Sequence, residues 1–243
     1  MKRAFVFSEG NTNKFWSIHY GGTDFAVNFG KAGTPGKYQI KEFDTEEECT
    51  KQAEKLIKQK LKKGYTEVGD FDYKARLYFD DEEFGIHPKT SHPSFVEACT
   101  DPLYYDCTDE EAPFGSDEGA DALYELQRAV RKNKNLDFAD FARHIIEDLW
   151  EMDYIPAEDL EANGLKALLD TNEMDVMQTD MVTYAVAFGQ IKITGTIDEE
   201  LRKAAVASLK RFNQSAKILG WGDSSVNRET MMEDLERFGH MYM

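Results

Sequence analysis

Between Lys2 and Phe43 apolar and polar residues alternate in four short runs, KRAFVF, KFWSIHY, FAVNFGK and KYQIKEF, separated by EGNTN, GGTD and AGTPG. A period of two marks strands, and turn-forming breaks of this length between them predict an antiparallel meander. In the second run Phe15, Ser17 and His19 fall on one face and Trp16, Ile18 and Tyr20 on the other. The period then changes. Thr45 and Glu48 form a capping pair, Gly64 supplies a stop, and the residues between recur at helical spacing. Cys49, Ala53, Leu56, Ile57 and Leu61 point one way, Lys51, Lys55, Lys58 and Lys62 the other, and Lys60 lands in the middle of the apolar side. An amphipathic helix packed on the sheet is the expectation.

Farther on, GDFDY at 69–73 reads as a linker and KARLYFDDEEF as one more strand candidate. Helical spacing then dominates. Residues 117–132 follow Ser116 or Asp117 as cap, and residues 137–151 carry Phe138, Phe141, Ile145 and Leu149. A short helix opening at Pro156, two longer ones at 179–193 and 198–219, and SVNRETMMEDLERF complete the chain. The expected fold class is α+β: an N-terminal antiparallel sheet with one helix over 1–70, followed by a mainly α domain over 74–243.

A chain of 243 residues lets each part bury its own core without disulfides or metal. Cys49, Cys99 and Cys107 are sparse and odd in number, which fits free, partly buried thiols in a reducing compartment. The start, MKRAFVFSEG, lacks the apolar run of an export signal, and no segment approaches the about eighteen apolar residues of a membrane span. A cytoplasmic protein without membrane contact is expected. The net charge of −17 is unevenly divided, with 12 Lys+Arg against 10 Asp+Glu in residues 1–70 and 17 against 36 in the rest. The acidic remainder repels nucleic acid, so any such contact has to come from the front part.

Candidate chemistry is thin. FGKAGTPGK, residues 29–37, imitates a phosphate-binding loop, but five residues separate Gly30 from Gly36, Pro35 removes an N–H donor, and Tyr38 stands where a hydroxyl ligand is needed. It reads as a strand end and hairpin turn. The stripe of Lys51, Lys55, Lys58 and Lys62, continued by Lys31 and Lys37, is either a solvated face balanced by Glu46, Glu47 and Glu54 or a surface for phosphate. Lys60 either snorkels past the sheet edge or is aimed at an anion. In the back part His87 and His92, each before a proline, together with Asp117 and Asp121 on one helix face, are the candidates for a ligand pocket. GSDEG lacks the preceding core strand of a nucleophile elbow. The spacing of His87, His92, Cys99 and Cys107 has no tight pair of the kind zinc sites use, and the carboxylates from Asp106 to Asp121 do not follow an EF-hand. No cofactor and no metal are expected.

Taken in order, Phe15-Trp16, FAVNFGKAGTPGKYQIKEF, TEEE and KQKLKKGYTEV resemble the WGR domain over about residues 1–70. Phe29, Gly30 and Lys31 stand where that family has Trp, Gly and Arg, which keeps bulk and charge but loses the indole donor and the planar guanidinium fork. The resemblance implies a sheet with one helix, binding of DNA or RNA ends and backbone, and contacts to neighbouring domains. SHPSF, DPLYYDCTDEEAPFGSDEGADAL, VTYAVAFGQIKITGTID and LGW resemble the C-terminal portion of the uncharacterised bacterial YfeS proteins, which implies no reaction. Three readings stay open: a non-enzymatic adaptor that contacts nucleic acid or a protein partner through its front part; an enzyme or a protein binding a small ligand or metal in loop region 87–121; and an acidic mimic of nucleic acid or protein-interaction module that masks the front part or a basic protein partner.

Overall fold

The computed structural model describes residues 1–133, 135–222 and 224–242, with Met241 and Tyr242 by backbone only. Four strands follow the alternating runs: β1 Lys2–Glu9, β2 Thr12–Gly21, β3 Asp24–Lys31 and β4 Lys37–Glu42. A fifth, β5 Thr66–Val68, pairs antiparallel with β1 and gives the order β4-β3-β2-β1-β5. At three residues it was too short for periodicity to announce. Helix α1, Glu46–Lys62, starts as expected, with Thr45 Oγ1 accepting from Glu48 N at 3.2 Å.

Helix α1 buries Cys49, Ala53 and Ile57 on Phe5, Trp16, Ile18, Tyr20, Phe25 and Val27. These residues share one pleat face, since Phe5 pairs with Trp16, Ile18 with Val27 and Tyr20 with Phe25. Leu61, expected on that side, is 45% exposed because it lies in the last turn, beyond the reach of the sheet. The opposite face is covered as well. Phe15, Ser17, Asn28 and Tyr38 are buried there under a segment that the sequence suggested was a linker and a strand. Phe71 packs on Phe15, Tyr78 on Tyr38, and the Tyr38 hydroxyl donates to Leu77 O. Residues 74–80 form no strand, and only an isolated bridge joins Asp81 to Gly85. The compact unit accordingly extends to Pro93, past the boundary expected near residue 70. Two faces of a small sheet need two covers.

The second unit, Ser94–Met243, is mainly helical. After α2 Pro93–Ala98, the helix α3 Asp117–Lys132 begins at a Ser116 cap, whose Oγ accepts from Gly119 N at 3.1 Å. Residues 137–151, expected as one amphipathic helix, form a single turn, α4 Phe141–Arg143, and a π-helical turn over His144–Leu149. The helix expected at Pro156 is absent. Residues 151–161 are irregular, and their carbonyls at Ile155 and Pro156 are taken up by Arg211. Helix α5, Ala162–Thr194, has non-helical dihedrals at Asn172 and is buried almost all round from Val176 to Ile193, a pattern of a central helix rather than an amphipathic one. It packs against α3 and α6 Glu199–Leu219, and α6 packs against α7 Val226–Tyr242. Among the described residues no helix is long and apolar enough to cross a membrane.

Candidate nucleic-acid interface

The ends of β2, β3 and α1 bring lysines together. Lys14 sits opposite Lys31 in the ladder, with Trp16 opposite Phe29 two residues on. The Lys60 ammonium lies 5.2 Å from the centre of the Trp16 ring and 5.1 Å from that of Tyr65. Burial, with Lys63 and Lys14 close by, holds it below the usual lysine range. Its charge rests on aromatic faces instead of a carboxylate.

Lys51, Lys55, Lys58 and Lys62 are all exposed on the outer face of α1, and Lys31 and Lys37 are exposed at the hairpin. Of the three glutamates expected to balance the stripe, Glu54 is engaged elsewhere, accepting from the Tyr20 hydroxyl at 2.9 Å and lying 3.6 Å from Arg3. Among the described residues none of Lys14, Lys31, Lys37, Lys51, Lys55, Lys58, Lys60, Lys62 or Lys63 makes an ion pair. Lys14 and Lys63 escaped sequence reading, because only the strand register and the helix end put them beside Lys60.

The hairpin between β3 and β4 is locked. Thr34 N and Oγ1 both donate to Lys31 O, at 3.1 and 2.8 Å, closing the turn on itself. Asn28 Nδ2 donates to Pro35 O and Lys37 O at 3.0 and 3.2 Å. Arg76, outside the meander, stacks 4.1 Å from the centre of the Phe15 ring and donates to Asn28 Oδ1 and Thr34 O, each at 3.2 Å. Its guanidinium, lowered by burial, clamps the turn that presents Lys31 and Lys37.

The other candidates are structurally occupied or lie in the second unit. His87 Nδ1 accepts from Lys89 N at 3.0 Å, and Lys89 Nζ donates to Gly21 O at 2.6 Å and reaches Asp24 Oδ1 at 2.5 Å, tying down the β2–β3 turn. Burial pushes the His87 ring down. His92 is buried against Lys74 O at 2.9 Å. Asp117 is the first residue of α3 and lines a cavity of about 440 Å³, while Asp121, one turn on, is exposed and outside that lining. Cys49 and Cys99 are buried thiols, as expected, but Cys107 is exposed.

Burial, with Lys2, the N-terminal ammonium and Lys89 nearby, pushes His19 down to about 3 from 6.5. Between those values the unfolded chain takes up a proton that the folded sheet refuses, so stability falls as pH drops through that window. Amide-exchange protection in β2 is expected to weaken between pH 6 and pH 4, and to weaken less in His19→Gln.

Residues 1–72 match the WGR domain family. Over 242 residues the chain is 50% identical to the uncharacterised protein YfeS of Escherichia coli strain K12, covering 99% of each chain. The chain belongs to the YfeS family. Within that family frame the N-terminal domain is also 37% identical over 65 residues to protein YehF of the same organism, covering 27% of this chain and 24% of that one. A crystal structure of a Bacteroides fragilis protein shares 38% identity over 42% of this YfeS-family chain and 30% of its own, with a TM-score of 0.28.

Proposed function

We propose that the chain is a non-enzymatic adaptor that holds nucleic-acid backbone or ends through its WGR domain. The observation that carries this reading is the set of lysines around Trp16 and Tyr65, Lys14, Lys31, Lys60 and Lys63, which among the described residues has no carboxylate of its own. Like charges gathered at one sheet end repel one another, and Lys60 is partly desolvated as well. A phosphate supplies the missing counter-charge, and each one neutralised releases condensed cations. The exposed stripe on α1 extends the same sign of charge along the surface. A surface of lysines directed at phosphates holds nucleic acid by its backbone and ends, largely without sequence preference.

The test is binding of short duplex and single-stranded DNA and RNA to the full chain across a salt series. The logarithm of the affinity is expected to fall linearly with the logarithm of salt, and Lys14→Glu with Lys31→Glu to flatten the slope by roughly 0.7–0.9 for each phosphate no longer neutralised. Lys55→Glu with Lys58→Glu reports the helix stripe separately. No binding at low salt, or a slope indifferent to both pairs, overturns the reading.

A further inference from the structure

The second unit contains a cavity of about 440 Å³ that the nucleic-acid reading does not use, and its walls have two distinct chemistries. The floor is apolar. Met177 and Met181 from α5, Phe212 from α6 and Trp221 just beyond α6 contribute it, and Trp221 is 60% exposed, an unusual position for the largest apolar side chain. The rim is acidic: Glu110, Glu111, Asp117 and Glu118 line it. Arg228 is the cation among the described lining residues, and it is spent. It lies 3.1 Å from Glu111 and donates to Asn213 Oδ1 at 2.6 Å.

Among the described residues Glu110, Asp117 and Glu118 make no ion pair. Gln178 Nε2, from outside the lining, reaches Glu118 at 3.4 Å, a long contact that leaves the carboxylate's charge uncompensated. Volume, apolar floor and a few convergent polar groups are the attributes of a small-molecule site, whose usual size range of about 300–1,000 Å³ includes this one. The sign of the rim excludes anions, and an exposed indole face favours a cation further.

We infer that this cavity binds a small organic cation, a protonated amine carried on an apolar body, with the amine at Glu118 and Asp117 and the body on Trp221, Phe212 and the two methionines. The site is independent of the lysine surface in the WGR domain, so neither reading stands or falls with the other.

The test uses the full chain and 4-phenylbutylamine as probe, with 4-phenylbutanol and 4-phenylbutyrate as controls of equal length. Titration followed by calorimetry and tryptophan emission is expected to show saturable one-to-one binding of the amine, at least about tenfold tighter than the alcohol, and none of the carboxylate. Glu118→Gln is expected to weaken the amine about tenfold while leaving the alcohol unchanged. Trp221→Ala is expected to weaken both, with the unfolding transition retained. Equal binding of amine and alcohol, insensitivity to Glu118→Gln in a folded variant, or no saturable amine binding overturns the assignment.

Discussion

Replacing Arg211 by methionine is expected to lower the stability of the Ser94–Met243 unit by about 3–5 kcal/mol, the range found when one member of a buried ion pair is removed. Asp180 is fully buried, and Arg211 meets it with Nε at 3.1 Å from both carboxylate oxygens and Nη2 at 2.8 Å from Oδ1. The same guanidinium donates to Ile155 O at 2.7 Å and Pro156 O at 2.8 Å. Methionine keeps much of the packing volume but leaves two carbonyls without their guanidinium donors and the carboxyl with only the Ser208 side chain. Burial pushes Asp180 up to about 7 even with Arg211 pulling it down. In the variant the carboxyl is therefore held protonated over the mildly acid range. The sign follows: a raised folded-state value contributes fully below the unfolded value near 3.8 and is lost as pH rises, so the deficit is smallest near pH 4 and largest above neutrality. Denaturant unfolding at pH 4.5 and pH 8 checks this. A second substitution, Asp180→Leu in the methionine variant, is expected to recover much of the loss. If the single variant unfolds like the parent at both pH values, the pair does not hold residues 155–156 against α5 and α6.

Gly36→Ala is expected to destabilise the WGR domain by about 2–4 kcal/mol, combining the left-handed backbone cost with overpacking. Its φ is +77°, and an added Cβ would stand 2.6 Å from Phe15 Cζ, 2.7 Å from Phe29 O and 3.0 Å from Asn28 Nδ2. Two of those neighbours are fixed, the carbonyl by the β3 ladder and Phe15 by the Arg76 stack. Gly33→Ala is the control. Its φ is +82° with nothing within 4 Å of the new methyl, so only the backbone cost remains, about 1–2 kcal/mol. Denaturation of both variants separates close approach from dihedral preference. Equal losses would show that the crowding around Gly36 relaxes freely. The turn carries Lys31 and Lys37, so Gly36→Ala is also expected to weaken nucleic-acid binding more than Gly33→Ala does.

The four-stranded meander and the amphipathic helix were legible because period-two and period-3.6 patterns are local, and the turn chemistry of Gly33 and Gly36 agreed with them. The central helix was legible only from residue 179 onward. Asn172 interrupts α5, and the turn before the interruption is buried by Leu165 and Leu169 against residues such as Ile155 and Leu219, a packing that no periodicity encodes. Residues 137–151 had a helical pattern, but the chain resolves into a π-helical turn there, and that choice belongs to tertiary packing. The lysine face of α1 could be read from the sequence. Its most informative neighbours could not, since Lys14 joins Lys60 through strand register and Tyr65 through the loop after the helix. Asp117 was singled out for its place after an ordered loop, and it does line a cavity. The apolar floor of that cavity comes from residues about 60 to 100 positions away along the chain, beyond any motif.

Strand β4 is a border of the sheet, and its outward Ile40 N donates to Asp81 Oδ2 at 2.6 Å. The acid closes a hydrogen-bonding edge that a second copy of the chain could otherwise extend. Asp81 lies beyond residue 72, where the match to the WGR family stops, so a fragment trimmed to that match loses its stopper and is prone to intermolecular strand addition. Cutting after Pro93 keeps the seal that a binding measurement on the isolated domain requires.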